Sequence, residues 1–260
     1  MADKFAIITG ASTGIGFELA TLAAKDGYDV LVVANEGLIN DAAADFRQFG
    51  TQVDAVEADL STIEGVDSLL AATKGRQVDL LCANAGHGLG HAFLDQPVAA
   101  WRHVVDTNIT GTIYLLQNVL KQMVARNDGK VLVTGSVAGY IPGSFQAVYN
   151  GTKAFLDSFV LALQNELKDV DGVTLTNLMP GPTDTEFFDR AEMMDTSVGT
   201  DPKKEDPRDT ARNGWDAVMA GKASVVSGWK NKVQMAVEGI IPESVKAEQH
   251  RKMAEPGSAD

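Results

Sequence analysis

The stretch Phe5-Ala6-Ile7-Ile8-Thr9-Gly10-Ala11-Ser12-Thr13-Gly14-Ile15-Gly16 constrains this chain more than any other. An apolar run gives way to three glycines within seven residues, and Phe17, Leu19, Ala20, Leu22 and Ala23 then recur at helical spacing. That order predicts a buried strand, a tight turn and a helix. Glycine is needed where backbone turns through angles closed to other residues, or approaches a ligand closely. A helix starting near Gly14 aims unpaired N–H groups and partial positive charge at the space above the strand, which suits a diphosphate. The spacing Gly10-x-x-x-Gly14-x-Gly16 departs from the G-x-G-x-x-G dinucleotide pattern, and alone it is compatible with a simple turn.

Further apolar runs over Asp29–Ala34, 78–83, 130–134, Val173–Met179 and 223–227 read as strands, as does 52–58, which alternates apolar and polar residues. Helical patterns separate them, over about 38–49, 98–126 and 146–169. Apolar strands alternating with helices predict an α/β, doubly wound Rossmann fold, with about seven parallel strands and helices on both faces. Nothing divides the 260 residues, so 1–260 reads as one domain. Ligands bind such sheets at the carboxyl ends of the strands. Gly10 to Gly16, Asn35-Glu36, Asp59, Asn84 to Gly86, Ser136 and Pro180-Gly181 all fall there. Between 185 and 207 the periodicity fails, although Phe187, Phe188, Met193 and Met194 are apolar. This predicts a mobile lid with a short helix turned toward a substrate; a packed surface insertion is the alternative. Residues 255–260 are expected to fray.

The net charge of -13 argues against nucleic acid or an anionic membrane as partner. The one cysteine, Cys82, sits in an apolar run and reads as a buried structural thiol. No Cys/His cluster has metal-ligand spacing, so no metal is expected. The chain begins strand-like with no charged-then-apolar leader, and no apolar run reaches membrane-spanning length; a soluble cytoplasmic protein is expected.

Tyr149 and Lys153 stand four apart, on one face of a helix. A free phenol is a poor acid or base at neutral pH, but a nearby ammonium lowers its pKa and fits it to exchange a proton with a substrate oxygen. A helix-surface pair is the plain alternative. Ser136 can hydrogen-bond a carbonyl or alcohol oxygen but has no general base beside it for attack; it and Thr134 could equally cap local backbone. None of His87, His91, His103 and His250 has a triad-like context.

Thr9-Gly10-x-x-x-Gly14-x-Gly16, Asp59-Leu60, Asn84-Ala85-Gly86, Asn108, Ser136, Tyr149-x-x-x-Lys153 and Pro180-Gly181 occur together in one order. In that order and spacing the chain resembles the short-chain dehydrogenase/reductase family over nearly its whole length. The resemblance implies an NAD(P)-dependent oxidoreductase acting between a secondary alcohol and a ketone. It implies Tyr149 as general acid/base, Lys153 as the residue that lowers its pKa and binds the nicotinamide ribose, Ser136 as the group orienting the substrate oxygen, and Asn108 as holder of a relay water. For Asn108 a helix amide bonding backbone is the alternative. It implies that Gly10, Ser12, Thr13, Gly14, Ile15 and Gly16 cradle the diphosphate. Asp59 and Leu60 would contact the adenine, Asn84, Ala85 and Gly86 would support the sheet beside the cofactor, and Thr183, after Pro180-Gly181, would approach the nicotinamide carboxamide. The family also implies a homodimer or homotetramer built through the two long helices.

Two positions depart from the family's pattern. Ala34 stands where a member using NAD has Asp, and neither Thr13 nor Asn35 is the basic residue of a member using NADP. Asn35 can bond a ribose hydroxyl or a phosphate, while Glu36 and the lack of nearby Lys or Arg disfavour a 2′-phosphate. NAD is therefore expected over NADP, by ~1–2 kcal/mol. His87, Leu89, Ile141, Gly143, Phe145, Phe187 and Phe188 are expected to wall the substrate site, a set suited to a small, mostly apolar alcohol or carbonyl compound. The competing functions are a non-catalytic, nucleotide-binding regulator, which would not need a tuned phenol, and a ketoacyl-thioester reductase, which the overall acidity disfavours.

Overall fold

The structure, a computed structural model, describes residues 4–238 and 241–259. Seven strands form one sheet: β1 (Phe5–Thr9), β2 (Asp29–Ala34), β3 (Val53–Glu57), β4 (Leu80–Ala83), β5 (Gly129–Thr134), β6 (Val173–Met179) and β7 (Ser224–Val226). Their order is β3-β2-β1-β4-β5-β6-β7, and every pairing is parallel. Ile7 lies opposite Leu31 on one side and Leu81 on the other.

The strands are apolar on both sides because helices cover both faces. Ala6, Ile8, Val30 and Val32 pack with buried residues of α1 (Gly14–Lys25), α2 (Ile39–Arg47) and α9 (Pro207–Met219). Their neighbours Phe5, Ile7, Leu31 and Val33 point the other way, into a core shared with α3 (Ile63–Ala72), α5 (Thr112–Arg126) and α6 (Ala147–Glu166). Alternate side chains of a strand face opposite sides, so the two cores share one sheet. β3, at the sheet edge, is only half-buried, in keeping with its alternating sequence.

The winding reverses between β1 and β4, which opens a crevice at their carboxyl ends. The predicted 98–126 helix is interrupted: α4 (Val98–Val105) runs into a π-helical turn over Asp106–Gly111 before α5. The turn brings Gly111 so close to the Leu60 carbonyl that any side chain there would collide with it.

Between β6 and α9 the chain forms two short helices, α7 (Phe187–Arg190) and α8 (Ser197–Thr200). After β7 come α10 (Trp229–Glu238) and α11 (Glu243–Ala254), the latter packed on α8. Beyond α11 the tail, expected from the sequence to fray, makes contacts with the body of the fold. Gly257 N donates to Asp195 Oδ2 at 3.0 Å and Ala259 N to Asp195 O at 3.1 Å, tying the tail to the 185–207 segment. Asp260 lies outside the described residues. Among the described residues no helix is long and apolar enough to cross a membrane.

Candidate active site

A cleft of about 600 Å³ runs along the carboxyl ends of β1, β4, β5 and β6. Gly10, with φ +65°, and Gly14, with φ +58°, adopt the left-handed backbone that glycine tolerates. Gly16 lies behind the cleft wall: a Cβ there would meet Asn84 Nδ2 at 2.6 Å and the Gly10 carbonyl oxygen closer still. The turn therefore packs without a layer of side chains.

At the start of α1, Thr13 makes no side-chain cap, whereas Thr62 and Thr196 cap their helices by accepting from Gly65 N and Gly199 N. The first N–H groups of α1 are thus left for another acceptor, as a diphosphate requires. The uncapped helix, the left-handed glycines and the roomy cleft all fit a dinucleotide.

Asn84 ties three strands together. Its Nδ2 donates to Thr9 O at 3.2 Å, its N–H to Thr9 Oγ1 at 3.0 Å, and its Oδ1 accepts from Thr134 Oγ1 at 3.0 Å. Asn108 is carried on the π-helical turn and is buried. Its Oδ1 accepts from His87 N at 2.8 Å, and its Nδ2 donates to His87 O at 2.9 Å and Thr152 Oγ1 at 2.9 Å. It stitches the loop after β4 to α6 and sits behind the cleft lining.

Tyr149 and Lys153 face the cleft from α6, and Ser136 faces it from the end of β5. Lys153 Nζ donates to Thr134 O at 2.8 Å and lies 5.8 Å from the Tyr149 ring centroid. Burial pushes the Tyr149 phenol up to about 12, against a lowering hydrogen bond from Ser136. Burial also brings the Lys153 ammonium down to about 8, partly opposed by Asp157. In this state desolvation outweighs the stabilising contacts, so the phenol stands above its ordinary value. Ser136 also caps the following turn, accepting from Ala138 N at 3.1 Å, and donates to Pro180 O at 3.3 Å.

Beneath this set lies Asp157, one turn beyond Lys153 on α6 and buried. It accepts from Asn177 Nδ2 at 2.8 Å. Its carboxyl is pushed up to about 6, chiefly by burial, with Asn177 and Lys153 opposing. Gly135 and Gly139 flank it so closely that neither position admits a Cβ.

The nucleotide-binding candidates Gly10, Ser12, Thr13, Gly14, Ile15, Asn35, Glu36, Asp59, Leu60, Asn84, Ala85, Gly86, Pro180, Gly181 and Thr183 all line this one cleft. Of the expected substrate wall, His87, Ile141, Phe187 and Phe188 line it as well. Leu89 and Phe145 instead line a second cavity of about 540 Å³, and Gly143 lies against the Asn150 side chain. Phe145 is turned away by its left-handed backbone, φ +64°, and its ring lies against Arg251.

The sequence reading missed His103, Gln146, Val198, Arg190 and the His250, Met253 and Ala254 face of α11. The i, i+3, i+4 spacing of that last trio was a usable signal. Phe187 packs on Tyr149, with ring centroids 5.1 Å apart. The premise that no cation stands near Glu36 is corrected: Arg190 Nη2 lies 2.9 Å from Glu36 Oε1.

The chain matches the family model described as short chain dehydrogenase over residues 4–195. It is 32% identical over 186 residues to an uncharacterized oxidoreductase of Staphylococcus epidermidis, covering 70% of this chain and 79% of that one. Among solved structures it resembles a short-chain dehydrogenase from Sphingobium yanoikuyae in complex with NADPH, with TM-score 0.81, 24% identity, and coverage of 92% and 96% of the two chains. It also resembles a short-chain dehydrogenase/reductase from Burkholderia phymatum in complex with NAD, with TM-score 0.80, 21% identity, and 95% of each chain covered. The chain belongs to the short-chain dehydrogenase/reductase family. As a member of that family it is an NAD(P)-dependent oxidoreductase.

Proposed function

We propose that the chain interconverts a secondary alcohol and its ketone, with Tyr149 as general acid/base. The observation that carries this is the convergence of Tyr149, Lys153 and Ser136 with the glycine turn on one cleft. In oxidation the C–H bond at the carbinol carbon breaks with its electron pair, the O–H proton passes to the Tyr149 phenolate, and a C=O bond forms. Reduction reverses each transfer. The nicotinamide, when bound, supplies the acceptor or donor of that hydride.

Ser136 gives its hydroxyl to the substrate oxygen, exchanging its bond to Pro180 O for that contact. Lys153, held by Thr134 O, sets a positive charge beneath the phenol and reaches toward the ribose. Asn108 fixes the loop that carries Gly86 and His87. A carbonyl or alcohol substrate with an apolar body suits Ile141, Phe187, Val198 and Met253, which line the end of the cleft at Tyr149.

We read 1–260 as one catalytic domain with 185–207 as its substrate lid. Phe187, at van der Waals reach of Gly88 and against Tyr149, supports the lid. A homodimer or homotetramer through α5 and α6 is supported by Leu161 and Phe155, both exposed on α6. We place the protein in the cytoplasm, consistent with a fold that has no membrane-crossing helix among its described residues. A panel of secondary alcohols and ketones, followed by nicotinamide absorbance with each cofactor, tests the reaction. Turnover of at least one apolar pair is expected, and none across the panel would refute it.

A further inference from the structure

The cleft ends, away from Tyr149, at Glu36. This residue stands just past β2, two positions after Ala34, at the strand end beside which an acidic side chain bonds the 2′-hydroxyl of an adenosine ribose or an arginine takes a 2′-phosphate. Its Oε1 accepts from Ser12 Oγ at 2.6 Å and from Arg190 Nη2 at 2.9 Å. The bond from Ser12, foremost, and then Arg190 keep the carboxyl below its usual range, so it is charged at neutral pH. Arg190 is held by Glu186 as well. Among the described residues lining the cleft, Lys153 and Arg190 are the Lys and Arg side chains, and Lys153 is engaged deep inside with Thr134 O. Arg190 and Glu36 are each about one-third exposed, 36% and 34%, and a pair so open to water is held weakly.

The chain supplies Arg190 from far away. It sits at the end of α7, in the segment whose Phe187 lies against Tyr149, and the two residues are one turn apart. Thr185, two residues before Phe187, covers Gly14: a Cβ on that glycine would meet Thr185 Cγ2 at 2.9 Å. The segment thus spans the cleft from the glycine turn to the ribose end. A guanidinium binds phosphate through a planar fork, which a second carboxylate does not offer a 2′-phosphate at all.

We propose that Arg190 reads the 2′ position of the adenosine ribose, staying on Glu36 when it is a hydroxyl and moving to it when it is a phosphate. The inference rests on the nucleotide cleft described above. It removes the repulsion that Glu36 alone would exert, so the chain accepts NADP as well as NAD.

Isothermal titration of NAD+, NADP+, 5′-AMP and 2′,5′-ADP into wild type, Arg190→Met, Arg190→Lys and Glu36→Gln tests this without any turnover. Arg190→Met should weaken NADP+ and 2′,5′-ADP at least tenfold while changing NAD+ and 5′-AMP less than threefold. Arg190→Lys should fall between, because an ammonium keeps the charge and loses the fork. Glu36→Gln frees the guanidinium and should tighten NADP+ at least threefold. Circular dichroism matching wild type certifies each fold. Equal effects of Arg190→Met on both nucleotide classes, or no effect on either, would overturn the proposal while leaving the cleft intact. Failure of all four nucleotides to bind wild type would instead overturn the cleft assignment, and the proposal with it.

Discussion

Gly16→Ala puts one methyl group where the structure has none to spare. The added Cβ would lie 2.6 Å from Asn84 Nδ2, about 0.8 Å inside the 3.4 Å at which ordinary contact begins, and nearer still to Gly10 O. Neither neighbour can yield cheaply. Gly10 is fixed by its left-handed backbone and by its N–H on Val33 O at 2.9 Å, and Asn84 is tied to Thr9 and Thr134. Relief has to come from lifting the start of α1, whose Leu19, Ala20, Leu22 and Ala23 are buried in the core. Overpacking of this kind costs about 1–3 kcal/mol of stability. In a chain of this size that lowers Tm by roughly 2–4 °C per kcal/mol. The same displacement moves the N–H groups that would hold the diphosphate. Losing one such hydrogen bond to a charged phosphate costs about 1.5–3 kcal/mol of cofactor affinity. Titration of cofactor against tryptophan fluorescence, beside a thermal melt, reads both numbers. A variant with wild-type affinity and Tm would show that the turn does not make the close approach assigned to it.

A contrasting glycine, Gly151, lies on the exposed side of α6 with nothing within 4 Å of a Cβ. Gly151→Ala should therefore stabilise the fold by about 0.5–1 kcal/mol, read as a higher denaturant midpoint with an unchanged slope; a loss of stability would mean that another surface covers that face. Asp157 titrates near 6 in the fold against roughly 3.9 when unfolded, so the native state binds its proton more tightly. Its contribution to stability is full below about pH 4 and is lost as pH rises through 6. The stability of wild type minus that of Asp157→Asn should fall by up to about 3 kcal/mol across that window, measured by urea melts at each pH, and a pH-independent difference would refute the assignment.

The sheet was legible because its inner strands are apolar on both sides. Residues 29–34 and 173–179 read as strands with no ambiguity, since helices on both faces leave no solvent side to encode. Strand ends were legible for the same reason, and Gly10, Asn84, Ser136 and Tyr149 meet where parallel strands terminate. What the sequence hid came from contacts between distant parts of the chain. Arg190 reaches Glu36 across 154 positions, and no local pattern marks such a pairing. The π-helical turn that carries Asn108 is six residues long with no proline inside it, so 98–126 read as one element. Phe145 looked like a substrate wall by position, but its backbone turns it toward the second cavity. The Tyr149 phenol was expected to be lowered by Lys153. Spacing reveals that the two side chains are neighbours, but not that both are buried, and burial decides the direction.

The central claim is that Tyr149 moves the proton, and Tyr149→Phe tests it directly because the ring, packed on Phe187, is kept and only the hydroxyl is lost. Turnover of an alcohol–ketone pair should be measured beside the affinity for the cofactor in the same preparation. General acid–base catalysis contributes roughly a hundred- to ten-thousand-fold, so kcat should fall by at least a hundredfold with cofactor Kd within about threefold of wild type. Turnover close to that of the unmodified protein would contradict the account.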